Sequence, residues 1–372
     1  MNYIVQPGDT LYSIARLFGI RTEQIINANP DLAQGAALSA GQFLEVPLSP
    51  RMRPSIDMNG FIDPSTDPCV LQDIFPYLTY LSILCCNVRM DGSISCSNDR
   101  PMVSAARSAK VAPLMVVSNE APDVGYSAEI AHAIISDPVA QQTMLDNIVA
   151  RLRLTEYFGV NFNFELVPYE DYDAFAELVR KATFLLHPMG YYVMLTIRTQ
   201  RVITYIEELY PEPPGDYAFI ADRFIVRSSE LACDPGSDLS TADSVQRILD
   251  YTIAPFSSRK ILIAYPNCCQ VWQVPYLTGQ APRTISYQQA ALLAGWTGFL
   301  YDQQTNRRYF SFTDEGGLEY GIWCGNIAGS KEIADLVRIY NLGGVSFRPA
   351  DFFSLSTYQL FNVMFQIQKV IY

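Results

Sequence analysis

The chain has 372 residues, 49% of them hydrophobic and 17% charged, with a formal net charge of −12. That length suits one large domain with a small companion, and the apolar content excludes a disordered chain. The acidic balance sets aside nucleic acid and anionic membranes as partners, while neutral sugars and small molecules stay open.

No basic, apolar leader follows Met1, which predicts a protein made in the cytosol without a signal peptide. No apolar run reaches the ~18 residues of a membrane span. The eight cysteines are Cys69, Cys85, Cys86, Cys96, Cys233, Cys268, Cys269 and Cys324, and none forms a CxxC pair. With only His132 and His187 beside them, they are poor material for a metal site, and no metal or cofactor is expected. Their expected role is that of small buried hydrophobes rather than a designed disulfide set. The adjacent pairs leave cross-linking in an oxidising assembly as another use. His132, in an apolar helix, and His187, before Pro188, read as structural.

In chain order, Tyr3-Ile4-Val5 reads as a strand. Asp9 or Thr10, after Gly8, can cap a helix on which Leu11, Ile14, Ala15 and Phe18 recur at helical spacing. Gly19 ends that helix. Thr22 can cap the next, with Ile25 and Ile26 inward, and Asn29-Pro30 stops it. Leu44-Glu45-Val46 makes a second strand. Residues 1–48 thus form a strand–helix–helix–strand unit, and 49–55 form a Pro-containing linker.

The stretches VQPGDTLYSIARLFGI, IINANPDL and LSAGQFLEVP resemble the LysM module over that whole unit. The resemblance implies binding of N-acetylglucosamine-containing polysaccharide: peptidoglycan, spore cortex or chitin oligomers. The binding loops would be Gly8, Asp9, Thr10 and Leu11, and Asn29, Pro30, Asp31 and Leu32. The same residues are turn and cap residues in their own right.

Residues 56–372 alternate strands and helices. Strands are predicted at 56–62, 78–88, 111–117, 160–167, 192–197, 223–227, 260–264 and 344–347. Helices are predicted at 130–135 with 141–154, 172–186, 244–253 and 332–340. This alternation predicts an α/β fold, a parallel (β/α)8 TIM barrel. A helix at 286–294 and strand pieces at 298–301, 307–313 and 318–323 predict a small α+β insertion, about 267–328, between the seventh and eighth strands. Trp272, Tyr276, Trp296 and Trp323 surround it, as sugar-stacking or plain core aromatics.

The fourth strand reads GVNFNFELV (159–167). Side chains alternate along a strand, so Asn161, Asn163 and Glu165 share one face, and Phe162, Phe164 and Leu166 the other. In a barrel the apolar set meets the helices. The polar set then lines the interior and rises towards the C-terminal end, where active sites of this fold sit. An edge strand with a wet face is the bland alternative.

That segment, with NGFI (59–62), YLTYLSIL (77–84), VAPLMVVSN (111–119), IAHAIISDPVAQQTMLDNIVARL (130–152) and SFTDEGG (311–317), resembles the glycoside hydrolase family 18 barrels. The resemblance is strongest to LysM-bearing bacterial enzymes of spore-cortex lysis and germination. It implies hydrolysis of β-1,4 bonds at N-acetylglucosamine, with a glutamic acid protonating the leaving oxygen while the substrate's own acetamido carbonyl attacks.

Carried over by position, Glu165 is that acid, and Asn163 stands where the family has the Asp that orients the acetamido group. Phe158 and Asn161 stand at the earlier Asp positions of the DxxDxDxE pattern. Ser229 takes the place of the supporting Tyr, beside a kept Glu230, and Phe347-Arg348 stand where Tyr-Trp is common. Glu120, Glu230 and Asp351 are candidates for a replacement carboxylate. Two other readings accompany hydrolysis: a glycan-binding protein without turnover, and a structural spore-layer protein joined through its cysteines. Either way the expected location is the spore coat or cortex of a spore-forming bacterium.

Overall fold

The computed structural model describes residues 2–5, 9–18, 20–34, 38–39, 42–47, 53–122, 124–198, 220–227, 242, 245–246, 249–250, 257–265, 269–275, 283–294, 300–302, 307–314, 316–325 and 327–371. The N-terminal unit runs β1 (Asn2–Ile4), α1 (Leu11–Phe18), α2 (Thr22–Ala28) and β2 (Phe43–Glu45), with β1 and β2 antiparallel. Thr10 caps α1. Its Oγ1 accepts from the Ser13 N–H at 3.0 Å, and Ser13 Oγ accepts from the Thr10 N–H at 2.9 Å.

The cap of α2 differs from expectation. Thr22 is its first helical residue, not its cap, and Gln24 Oε1 accepts from the Arg21 N–H at 2.9 Å. A glutamine reaching back from the third helical position satisfies the entry without a threonine cap. Tyr3, Ile14, Ile25, Leu32 and Leu44 close the small core of this unit.

The remainder follows in the order β3 (Ser55–Ile62), β4 (Tyr80–Val88), β5 (Ile94–Cys96), α3 (Arg100–Ser108), β6 (Ala112–Ser118), β7 (Glu120–Ala121), β8 (Gly125–Tyr126), α4 (Ala128–Ser136), α5 (Pro138–Leu154), β9 (Gly159–Asn163), α6 (Tyr172–Leu186), β10 (Tyr192–Arg198), β11 (Arg223–Arg227) and β12 (Ile261–Ala264). Next come β13 (Cys269–Val274), β14 (Arg283–Ile285), α7 (Tyr287–Ala294), β15 (Leu300–Asp302), β16 (Arg307–Thr313), β17 (Glu319–Gly325), α8 (Ile327–Ile339), β18 (Gly344–Phe347), α9 (Leu355–Met364) and β19 (Gln366–Ile367).

Parallel pairing runs β3-β18-β12-β11-β10-β9-β6-β4, and β4 returns to β3, so the eight strands close. This is the TIM barrel the alternation predicts. The expected helix at 244–253 lies largely outside the described residues. Elements the sequence reading lacked are β5, α3, the β7–β8 hairpin, β13, β14, α9 and β19.

Period two sorts the barrel side chains. Ile56, Met58, Ile83, Val160, Phe162, Phe224, Val345 and Phe347 belong to the large core between strands and helices. Phe61, Tyr80, Leu114, Val116, Met194, Ile225 and Leu262 fill the interior, which Val370 and Ile371 also touch. β19 extends β3 in parallel, and Lys369 Nζ donates to the Phe75 and Leu78 carbonyls at 2.8 and 2.6 Å. The C-terminal segment thus packs against the barrel interior. The inserted sheet has the order β14-β13-β17-β16-β15, and α7 packs against it through Ala290.

The structure corrects the expectation for the cysteines. Cys86–Cys96 joins β4 to β5 and Cys269–Cys324 joins β13 to β17, each pair lying across antiparallel strands at Cα separations of 4.1 and 4.2 Å. Spacing could not reveal this, because strand register, not sequence distance, brings these thiols together. In the chain-entropy picture, closing loops of 10 and 55 residues restricts the unfolded chain by about 3 and 4 kcal/mol. Among the described cysteines, Cys85 alone fits the buried-hydrophobe reading. Its Sγ lies 3.2 Å from the Tyr157 hydroxyl, and burial pushes its thiol up to about 12. Cys69 is exposed and free, and Cys233 and Cys268 lie outside the described residues.

In the native protein, iodoacetamide should label Cys69 and spare Cys85 until the chain unfolds, and non-reducing peptide maps should show the 86–96 and 269–324 links. Alkylation of all eight cysteines without reductant would contradict the pairing.

Candidate active site

Inward positions build a polar belt across the barrel. Asn59 Nδ2 donates to Ser346 Oγ at 2.9 Å, Ser82 Oγ donates to Asn59 Oδ1 at 2.8 Å, and Asn161 Nδ2 donates to Ser82 Oγ at 3.1 Å. Thr196 Oγ1 completes it, donating to Asn161 Oδ1 at 3.0 Å. Every member is buried, and mutual hydrogen bonding offsets the desolvation cost. Asn161 is therefore a brace of the belt. Deeper in the barrel, Arg223 Nε pairs with Asp57 Oδ2 at 2.8 Å, and burial still raises the Asp57 carboxyl despite that partner.

Above the belt, β9 ends at Asn163, earlier than the 160–167 expected from alternation, so Glu165 sits just past the strand end. Leu166 has φ of 55°, in the left-handed region. That conformation costs a non-glycine residue about 1–2 kcal/mol. It turns the chain out of the strand directly after Glu165.

A buried amide fixes the Glu165 backbone. The Glu165 N–H donates to Asn119 Oδ1 at 2.9 Å, and Asn119 Nδ2 donates to the Glu165 carbonyl at 2.7 Å. Asn119 Nδ2 also reaches the Ser127 carbonyl at 2.8 Å, tying Glu165 to the cap of α4.

The Glu165 side chain is 5% exposed and forms an ion pair with Arg227, the last residue of β11. Arg348, directly after β18, has Nη1 3.9 Å from the same Oε1. Its Nη2 donates to the Tyr126 hydroxyl at 2.7 Å, and its guanidinium lies 5.1 Å from the Phe61 ring centre. Asn163 Nδ2 donates to the same Tyr126 hydroxyl at 2.7 Å, while Asn163 Oδ1 and Arg348 Nη1 make no hydrogen bond among the described residues.

The structure thus unites Glu165, Asn163 and Arg348, with Asn161 beneath them. Ser229 and Glu230 lie outside the described residues. Phe347 packs outward against Tyr358 and Phe353, at 4.6 and 5.1 Å between ring centres, so Arg348 alone fills the inward position. Glu120 is exposed on β7. Asp351 is partly buried, and burial, with Asp63 nearby, raises its carboxyl. His132 and His187 pair with Asp171 and Asp222 at 2.7 and 3.0 Å, as structural histidines do.

Three participants were missed in the sequence. Arg227 carried a readable signal, because it alternates with Arg223 and Ile225 and ends a barrel strand. Tyr126 and Asn119 carried none, since a two-residue hairpin and a post-strand amide have no period.

In the N-terminal unit, Asn29 is a latch rather than a free polar group. Its Nδ2 donates to the Ile25 and Glu45 carbonyls at 2.7 and 2.6 Å, and its Oδ1 accepts from the Glu45 N–H at 2.7 Å. Leu32 is buried in the core, and Asp9 Oδ2 accepts from the Tyr3 hydroxyl at 2.6 Å. Thr10, Pro30 and Asp31 are exposed, Leu11 is half-buried, and Gly8 lies outside the described residues.

The profile of the LysM domain matches residues 3–47. A curated relative, the cortical fragment-lytic enzyme of Bacillus subtilis (strain 168), is 23% identical over 406 residues, covering 93% of each chain. The crystal structure of the spore cortex-lytic enzyme SleL of Bacillus megaterium QM B1551 superposes with a TM-score of 0.75 at 23% identity, covering 100% of this chain and 87% of that one. A glycoside hydrolase family 18 N-acetylglucosaminidase from Paenibacillus barengoltzii superposes with a TM-score of 0.63 at 16% identity, over 84% of this chain and 99% of that one. Among the described residues, no helix is long and apolar enough to cross a membrane. Residues 3–47 thus match the LysM domain, and the closed eight-stranded barrel that follows has the fold of these glycosidase structures.

Proposed function

We propose that the protein binds N-acetylglucosamine-containing glycan of the peptidoglycan or chitin type and hydrolyses its β-1,4 bonds, with Glu165 as the proton donor. One observation carries this reading: a buried glutamic acid at the top of the fourth barrel strand, its backbone clamped by Asn119, beside an inward amide at 163. The chemistry requires a group that protonates the glycosidic oxygen and one that orients the acetamido group as its carbonyl attacks. Asn163 Oδ1, buried and without a hydrogen bond among the described residues, can accept the acetamido N–H. The LysM domain and the cortex-lytic relatives support a spore glycan as the polymer, and the two disulfides suit work outside a reducing cytosol. The test is release of new reducing ends from cortex peptidoglycan and chitotetraose, alongside co-sedimentation with insoluble glycan.

A second reading, glycan binding without turnover, draws on the ion pair between Glu165 and Arg227. A proton donor must present an O–H to the glycosidic oxygen, and that pairing competes with it. Arg227→Met separates the readings. Hydrolysis predicts a several-fold rise in reducing-end release when the competitor is removed. Binding alone predicts no release from either protein.

A further inference from the structure

We propose that His132 and Asp171 form a proton-dependent latch on the segment that begins at Glu165, and that they act as positioning residues for that acid. This rests on the hydrolytic reading above and adds a control by pH to the same site. Helix α4 is fastened to the segment at both ends. At the inner end, Asn119 Nδ2 donates to the Glu165 carbonyl at 2.7 Å and to the carbonyl of Ser127, the cap of α4, at 2.8 Å. At the outer end, His132 on the same helix places Nδ1 2.7 Å from Asp171 Oδ2. Between the two fastenings lie Leu166, with its φ of 55°, and the exposed Tyr169. A residue held in the left-handed region persists only where its surroundings over-determine the backbone. The inner fastening is a neutral amide and does not titrate. The outer one does.

Asp171 is committed to this contact. It stands directly before α6, where a carboxylate can accept from the free N–H groups of the first turn, yet its side chain caps none of them. Asp171 is only 7% exposed, and its carboxylate turns to His132 instead. A carboxylate so buried needs a partner, and an imidazolium holds it more strongly than a neutral ring by adding charge to the hydrogen bond. The His132 side chain is more than half exposed, so protons reach it from solvent. The hydrogen bond to Asp171, the charge of Asp171 and the charge of Glu170 raise its imidazole above the ordinary value of 6.5. The latch is therefore complete below that ordinary value and weakens as pH rises through the raised one. Of the elements packed against α4, the turn at 169–171 brings both of those carboxylates. Helices α5 and α6 bring no charge that shifts the ring, and neither does Glu129 on α4 itself.

The experiment is hydrogen–deuterium exchange of the full chain at about pH 5.5 and about pH 8.5, on either side of the imidazole range and corrected for intrinsic exchange. It follows the peptide from Glu165 to Asp171, and reducing-end release from cortex peptidoglycan is measured on the same proteins across that range. The unaltered protein should lose protection in this peptide severalfold at the higher pH, while a peptide from β6 stays unchanged. His132→Ala should show the lower protection at both pH values, and His132→Lys, whose charge persists, the higher protection at both. Alanine and lysine both suit this exposed helical position, so both variants should fold. The kcat of His132→Ala should fall severalfold below wild type at the lower pH with KM little changed, and its pH profile should lose the inflection of the imidazole. Equal protection of the wild-type peptide at the two pH values, or a His132→Ala protein that matches wild type in protection and kcat at the lower one, overturns the inference and leaves the glycan reading standing. Protection that follows the expected pattern in a protein that releases no reducing ends overturns the hydrolytic reading and leaves the latch in place.

Discussion

Glu165→Gln should abolish measurable release of reducing ends while the protein still sediments with insoluble glycan. An amide cannot donate the proton that the departing glycosidic oxygen needs, and a positioned general acid contributes about 10²- to 10⁴-fold in rate. The substitution also acts on stability. Glu165 is a carboxylate facing both Arg227 and Arg348, and Gln keeps one acceptor oxygen but no charge. Breaking a buried pair outright costs about 3–5 kcal/mol, so this partial loss should lower the melting temperature measurably. A folded Glu165→Gln protein with wild-type turnover would remove Glu165 from the chemistry. Retained sedimentation separates catalytic loss from unfolding.

Asn163→Asp should raise turnover on neutral, chitin-type substrate by about tenfold to a hundredfold. The attacking acetamido group develops positive charge as it closes on the anomeric carbon, and an amide orients it without balancing that charge. A preorganised electrostatic group at such a point is worth about a hundredfold to a thousandfold. The lower expectation allows for the Arg at 348, since groups that act as a unit do not add simply. The new carboxylate would be fully buried, but it meets the Tyr126 hydroxyl and has Arg348 across that hydroxyl as a counter-charge. Initial rates on chitotetraose, with a melting curve for each protein, check this. An unchanged or lower rate in a folded variant would show that Asn163 is not at the acetamido group.

The barrel was legible because its eight strands are short apolar runs separated by helical patterns, and closure follows from that alternation. The inward face of the fourth strand was legible for the same reason: period two puts Asn161, Asn163 and Glu165 together wherever the strand is paired on both sides. Its end was not. The left-handed turn at Leu166 is a backbone state for which leucine gives no warning.

What surrounds Glu165 comes from four other places in the chain: Asn119, Tyr126, Arg227 and Arg348. Local pattern cannot join them, because only strand order brings the ends of β6, β11 and β18 to the mouth where β9 stops. The disulfides illustrate the same limit. Cys86 and Cys96 face each other through an antiparallel strand too short to show a period. In the LysM domain, Asn29 read as a glycan contact, yet both ends of its amide bond to backbone, a use that composition cannot distinguish from recognition.

The most direct test of the central claim is digestion of cortex peptidoglycan by the unaltered protein in ¹⁸O-labelled water, followed by mass spectrometry of the soluble fragments. New N-acetylglucosamine reducing ends are expected, each carrying one ¹⁸O at the anomeric position. They should appear with the wild type and not with Glu165→Gln. Fragments unchanged in number and isotopic mass, from a protein that still sediments with the polymer, would contradict it and leave glycan binding as the activity of this barrel.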